Sequence, residues 1–259
     1  MRRSLSFRTF PYWLAAFVAI LAWMTYLVVT DSHYNAAYHF IIPGLSTTIS
    51  ATIVAFGIAL LIGLLAGFGR IARNPVATNV AQLYIEFVRG VPILVLIFTI
   101  SYVIVPQVAS GLGFSNASVT FFVRAVSALA LIYGAYLAEV FRAGIESVSR
   151  GQIEAGRSLG MSHWQTMRLI VLPQAVRNMI PALGNDLIAM LKDSSLLSVL
   201  AINELTQNAR LYASSSFEFR PTYFVLTLLY ASMTLVLSLL LRWYRKRLGL
   251  EDTTSGALR

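Results

Sequence analysis

Between residues 183 and 202 an otherwise apolar stretch carries Asn185, Asp186, Lys192, Asp193, Ser194, Ser195 and Ser198. Asp186 and Asp193 stand seven apart, which on a helix places them on one face two turns apart, with Lys192 offset by one step of about 100°. The set has two readings. A zwitterion such as an amino acid passing along this helix finds partners for both its charges, so Asn185, Asp186, Lys192, Asp193 and Ser194 are candidates for a substrate path. Alternatively, Lys192 pairs with Asp193 or with a neighbouring helix and only holds a bundle together. On either reading these groups face protein or a water-filled path and not lipid.

Other chemistries are missing or are decoys. Gly156-Arg157-Ser158-Leu159-Gly160 matches the spacing of a hydrolase nucleophile turn, but no strand pattern precedes it and the segment reads as helix. A phosphate-binding loop needs Gly-Lys, whereas the two lysines, Lys192 and Lys246, follow Leu191 and Arg245. His33, His39 and His163 are followed by Tyr34, Phe40 and Trp164, so no zinc-protease helix is written here. With no cysteine at all, disulfide and thiolate chemistry are also excluded. The chain reads as no enzyme, with no cofactor or metal of its own.

The elements that must position these residues follow from composition. Of 259 residues, 57% are hydrophobic and 12% charged, and the mean hydropathy is +0.70. That is far more apolar than a soluble domain. Six apolar segments, residues 12–30, 47–68, 92–108, 119–138, 183–202 and 223–241, are each about long enough to cross a bilayer as a helix. No ten-residue alternation suggests a membrane barrel. The expected fold is an all-α, polytopic transmembrane bundle of about six spans.

The net charge of +9 would suggest nucleic acid in a soluble protein, but here the basic residues punctuate the apolar runs. Arg2, Arg3 and Arg8 precede the first span, and Arg70, Arg73 and Arg89 lie between the second and third. Arg142, Arg150, Arg157, Arg168 and Arg177 follow the fourth, and Arg242, Arg245, Lys246, Arg247 and Arg259 follow the sixth. The opposite loops hold only Arg210 and Arg220, with Arg124 and Lys192 left inside spans. The positive-inside rule therefore places both termini in the cytoplasm. The first apolar run is too long for a signal-peptide core and lacks a small-residue cleavage site at Thr30-Asp31-Ser32, so it is expected to stay as a span.

Pro11, Pro43 and Pro221 stand just ahead of spans and Pro106 near the end of one, while Pro92 and Pro181 should start or kink their helices. Glu86 and Arg89 are spaced for an i, i+3 pair. Tyr133, Tyr136 and Glu139 form a helix-face stripe suited to core packing. Gly57, Ala59, Gly63, Ala66 and Gly67 suit close helix contact, a dimer seam being one use of it.

The longest polar stretch, residues 139–172, reads as two short helices. Ser149-Arg150-Gly151-Gln152 and Ser162-His163-Trp164-Gln165 are spaced as capping boxes. Gly160 is placed to end the first helix in the left-handed conformation, and Pro173 to stop the second, whose Trp164, Met167, Ile170 and Val171 repeat at near-helical spacing. Such a pair presents an apolar stripe that wants a partner.

Glu154-Ala155-Gly156, then Gly160, then Ile170-Val171-Leu172-Pro173 resemble the "EAA" loop of permease subunits in bacterial ATP-binding-cassette importers. Every spacing is kept, and the departure is Gly156, where that family usually has Ala; by helix propensity Gly costs about 1 kcal/mol there. The resemblance covers roughly residues 47–247, and Glu86-Phe87-Val88-Arg89-Gly90-Val91-Pro92 with Lys192-Asp193-Ser194-Ser195-Leu196 resemble its polar-amino-acid branch.

The resemblance implies a coupling loop over 139–173, with Glu154, Ala155, Gly156, Gly160, Ile170, Leu172 and Pro173 engaging a groove on a separate ATPase subunit. It further implies two ATPase copies holding ATP and Mg, an extracytoplasmic solute-binding protein, a second permease that is identical or related, and residence in the bacterial inner membrane among its lipids. Three regions are expected: 1–46, an additional helix and extracytoplasmic loop; 47–247, the permease domain; and 248–259, a cytoplasmic tail. The competing reading is a stand-alone secondary transporter for small polar solutes, which predicts inverted repeats that are not evident.

Overall fold

The structure is a computed structural model that describes residues 12–72, 74–115 and 118–250. Arg2, Arg3, Arg8, Pro11, Arg73, Arg259 and the tail from 251 lie outside the described residues. Among the described residues twelve α-helices follow in chain order: α1 Tyr12–Thr30, α2 Ser32–Ile41, α3 Gly44–Ile71, α4 Pro75–Gly90, α5 Ile93–Thr99, α6 Val105–Gly111, α7 Phe121–Glu146, α8 Arg150–Ser158, α9 His163–Thr166, α10 Leu172–Asp193, α11 Leu205–Ser216 and α12 Phe219–Arg247. Among the described residues there is no strand.

Among the described residues five stretches are long and apolar enough to cross a membrane: Tyr12–Thr30, Gly44–Ile71, Ile93–Gly111, Phe121–Glu146 and Phe219–Arg247. The polytopic helical bundle expected from composition is therefore present. The segment 183–202 is not the single helical span expected. Its helix α10 starts at Leu172, ends at Asp193 and tightens into a 3-10 turn, Ser194–Leu200. α10 carries Arg177, Asp186, Lys192 and Asp193 and packs on α3, α7 and α12, so protein surrounds much of it.

The core is the contact of α3 with α7. Lipid offers no hydrophobic drive to bring helices together, so their association depends on close packing of small residues. Along α3 the buried positions are Gly44, Thr48, Ala51, Thr52, Ala55, Ala59, Gly63 and Gly67. A Cβ on Gly63 would stand 2.7 Å from Leu137 Cβ, and one on Gly67 would stand 2.9 Å from Phe141 Cβ. The small-residue seam thus serves a contact within the chain; Gly57, with open space around it, is the exception. Thr48 and Thr52 hide their hydroxyls by donating to the carbonyls of Gly44 and Thr48, at 3.1 and 2.8 Å.

Two π-helical turns, Ile100–Ile104 and Met167–Val171, each lead into a helix with proline in its first turn, Pro106 in α6 and Pro173 in α10. A proline ring collides with the carbonyl four residues back and offers no N–H to it. Widening the preceding turn keeps the path helical: Val105 N–H reaches Ile100 O, and Leu172 N–H reaches Met167 O. Pro173 accordingly does not stop the second loop helix as expected; it begins α10. Pro92 caps α5, as expected of a helix start, and Pro181 lies inside α10.

Three helices, α2, α4 and α11, were not legible as spans or loop helices. α2 starts on Asp31, whose carboxylate accepts from His33 N–H at 2.9 Å, and α4 starts on Asn74, which accepts from Val76 N–H ahead of Pro75. α2 lies between α1, α11 and α12 and buries Ala37 and Ile41 completely.

Candidate functional site

At one end of the bundle, where α3 and α7 terminate, α8 and α9 form the expected helix pair. α8 closes in a Schellman motif: Met161 N–H donates to Gly156 O at 3.1 Å and Gly160 N–H to Arg157 O at 2.9 Å. Gly160 holds φ +80°, the left-handed conformation its position demands. Ser162 and Gln165 complete a reciprocal capping box at α9, with bonds of 3.2 and 2.8 Å. Ser149 does not; it N-caps α8 through its backbone and makes no side-chain cap bond. Ser158 lies inside α8 and donates to Glu154 O at 3.0 Å, so the hydrolase-like spacing is a helix and its cap.

Gly156 is where α8 meets the π turn. It is buried, and a Cβ there would stand 2.7 Å from Ile170 Cδ1. The departure from the resembled family's Ala therefore has a packing counterpart: Ile170 occupies the space a methyl would take. Val148, Val171, Ala175 and Met179 form a small core beneath, with Ile153 and Met167 against it.

What the pair leaves outside is equally ordered. Glu154 and Ala155 are exposed, Leu172 is half-buried and Pro173 exposed. Leu159 is 83% exposed and Trp164 67% exposed. Glu154 forms no ion pair among the described residues. A cleft of about 940 Å³, lined by Phe68, Ile71, Ile145, Arg150, Ile153 and His163 among others, separates α8 and α9 from the ends of α3 and α7. Arg142 of α7 grips Glu139 at 2.8 Å and Glu146 at 2.5 Å beside it, while Arg70 of α3 approaches Glu139 at 3.9 Å.

The polar groups of α10 are not brought to one place. Asp193 accepts from the buried Tyr133 hydroxyl at 2.8 Å and makes no ion pair with Lys192. Tyr133 meets Tyr136 edge-to-face at 5.6 Å, a packing contact, whereas Glu139 of the same stripe is held by Arg142. Ser194 is buried and donates to Leu191 O at 2.7 Å. Lys192 instead lines a cavity of about 580 Å³ with Ser195, Thr206, Thr227, Tyr230 and Thr234. Asn185 lines a different cavity, towards Arg242 and Arg245 of α12. Asp186 is half-buried on the same helix. Glu86 and Arg89, expected as a pair, are both exposed on α4 and form no ion pair among the described residues.

The opposite end of the bundle holds groups the sequence did not single out. Glu204 is 0% exposed and caps α11, accepting from Gln207 N–H at 2.7 Å, Thr206 N–H at 2.9 Å and Tyr230 Oη at 3.0 Å. Burial raises its pKa, and the two helix N–H groups oppose that rise. Glu204 offers no strong sequence signal, because a glutamate is an uncommon cap. Nearby His33 Nδ1 lies 2.5 Å from Glu218 Oε1, and Tyr212 donates to Glu218 Oε2 at 3.0 Å. This contact raises the His33 pKa and lowers that of Glu218.

A multi-helix membrane bundle with an exposed helix pair projecting from one end and polar groups carried on an interior helix is the architecture of a transport permease. The chain belongs to the family described as binding-protein-dependent transport system inner membrane component, matched over residues 59–250. The match begins within α3. Among relatives, the glutamine transport system permease protein GlnP of Escherichia coli (strain K12) is 35% identical over 208 residues, covering 80% of this chain and 92% of its own. The probable amino-acid permease protein YxeN of Bacillus subtilis (strain 168) is 38% identical over 205 residues, covering 79% of this chain and 89% of its own. A solved amino acid ABC transporter with histidines is 38% identical with TM-score 0.72, covering 80% of this chain and 94% of that one. The fold is shared more widely: the inward-facing MetNI methionine transporter, at 21% identity, has TM-score 0.63 over 81% of this chain and 94% of that one.

Proposed function

We propose that this chain forms the translocation path of an importer for polar amino acids and receives its driving force through α8 and α9. Glu154, Ala155, Gly156, Gly160, Ile170, Leu172 and Pro173 belong to the contact with an ATPase subunit, present in two copies, which binds ATP and Mg. The observation that carries this reading is the exposed Glu154, without an ion pair among the described residues, on the same helix pair as the exposed Leu159 and Trp164, a pair fixed from below by Val171 and Ile170. A surface of this kind is costly to leave in water and is suited to a groove. A solute-binding protein docks at the opposite end, and a second permease, identical or related, completes the path.

Along that path Lys192, with Ser195, Thr206 and Tyr230 beside it, is the group placed to meet a substrate carboxylate; Asp186 is a second candidate, while Asp193 and Ser194 already spend bonds on Tyr133 and Leu191. The α8 end is cytoplasmic on this reading, and both termini with it. The positive-inside count supports it, as does the proximity of Trp13 in α1 to Arg242 near the end of α12. The chain divides into 1–46, 47–247 and 248–259.

The test is co-purification from native membranes in mild detergent. Wild-type protein is expected to bring down a P-loop ATPase. Glu154→Lys should remain in the membrane and lose at least about tenfold of that ATPase, the scale of a disrupted interface charge. Undiminished ATPase recovery and transport by the variant would reject the coupling role.

A further inference from the structure

The ends of α1 and α12 carry chemistry that transport does not use. α12 leaves its apolar stretch through Arg242-Trp243-Tyr244-Arg245-Lys246-Arg247, at the same end of the bundle as α8. Arg242 lies over the Trp13 ring at 6.0 Å and Arg247 over Trp243 at 4.4 Å. Aromatic rings and basic side chains at the end of a spanning helix mark the headgroup level of a bilayer.

Between α10 and α12 a cavity of about 210 Å³ opens at this level. Arg242, Arg245, Asn185 and Ser238 line it, and Ile188 and Leu241 supply its apolar wall. Gly184 is buried in that wall, and a Cβ on it would meet Leu241 carbons at 3.2 Å, so the two helices approach closely there. Arg242 and Arg245 are like charges three residues apart on one helix, an arrangement that repels unless an anion lies between. Neither forms an ion pair among the described residues.

Two guanidinium forks, an amide and a hydroxyl around one cavity suit the oxygens of a phosphate diester. The apolar wall and the aromatic neighbours favour a phosphate that brings acyl chains with it. We propose that the cavity between α10 and α12 binds the phosphate of an anionic phospholipid, held by Arg242 and Arg245 with Asn185 and Ser238. The site goes beyond the transport reading and depends only on the chain crossing a membrane.

The experiment is native mass spectrometry of the purified full-length protein after delipidation, titrated with phosphatidylglycerol or phosphatidylcholine. Wild type should prefer phosphatidylglycerol by about tenfold or more. Arg242→Gln with Arg245→Gln should remove most of that preference, whereas Lys246→Gln with Arg247→Gln, the same charge lost outside the cavity, should leave it within about twofold. Arg245→Lys alone guards against misfolding, since it keeps the charge and should keep part of the preference. Equal loss in both double variants would overturn the site in favour of diffuse attraction. So would equal binding of phosphatidylcholine, or displacement of the lipid by millimolar inorganic phosphate, which would mark a free-anion site.

Discussion

Gly156 shows how a departure at one residue is resolved by its neighbour. Its missing methyl is replaced in space by Ile170 Cδ1. Gly156→Ala gains about 1 kcal/mol of helix propensity, but it forces that terminal methyl off its rotamer at about 0.5–1.5 kcal/mol. The substitution should therefore be close to neutral. With Ile170→Val, which removes the methyl, the same substitution should stabilise by about 1 kcal/mol. Thermal denaturation of the wild type and the three variants in detergent measures this, and equal effects in both backgrounds would reject the contact.

At His33 the prediction concerns pH. Its folded pKa lies above the ordinary 6.5, so its contribution is full below 6.5 and lost as pH rises through the folded value. Glu218 lies below its ordinary 4.5, so its share is full above 4.5 and lost as pH falls through the folded value. The pair therefore contributes fully between these two ordinary values. His33→Ala should lower the melting temperature most at pH 5.5 and progressively less as pH rises through the raised folded pKa of His33; a drop that does not shrink with rising pH would reject the ion pair. The turn between α8 and α9 was legible, because Gly160, Ser162 and Gln165 act through local geometry; Ser149, which makes no side-chain cap bond, and Pro173, which begins α10, depart from the expectation. Asp193 was not, because its partner Tyr133 lies 60 residues away and no spacing encodes it.

At the scale of the element, sequence periodicity identified spans wherever burial in lipid imposes a long apolar run. It missed α4, which is too short and polar to be a span, although Asn74-Pro75 and the buried Ala81, Ile85 and Val88 mark it in retrospect. It also read 183–202 as a uniform helix, because apolar composition does not reveal where a helix tightens into a 3-10 turn. The α3–α7 seam gives a sharp contrast. Gly63→Ala places a Cβ against Leu137 Cβ and the Ala138 backbone, groups that cannot swing aside, and should cost about 1–3 kcal/mol. Gly57→Ala meets open space and should be neutral or stabilising by up to about 1 kcal/mol. Comparing their melting temperatures tests the seam; equal values would reject it.

At the scale of the whole molecule, α2 is anchored to the end of the chain, on α11 and α12, as well as to its sequence neighbour α1. α2 buries Ile41 in a cluster with Leu205, Ala209, Val225 and Leu228, and Asn208 donates to Ile41 O at 3.4 Å. His33 and Glu218 are separated by 185 residues. That separation has a consequence in biosynthesis. At about 5–20 residues per second, the first two helices leave the ribosome roughly 9–40 s before their partners exist. During that interval the apolar face of α2 has no seat. Protection of a cysteine placed at Ala37 against a water-soluble thiol reagent, followed by pulse-chase, should appear only after α12 has been synthesised; protection in nascent chains ending before residue 205 would show that the hairpin finds its cover elsewhere.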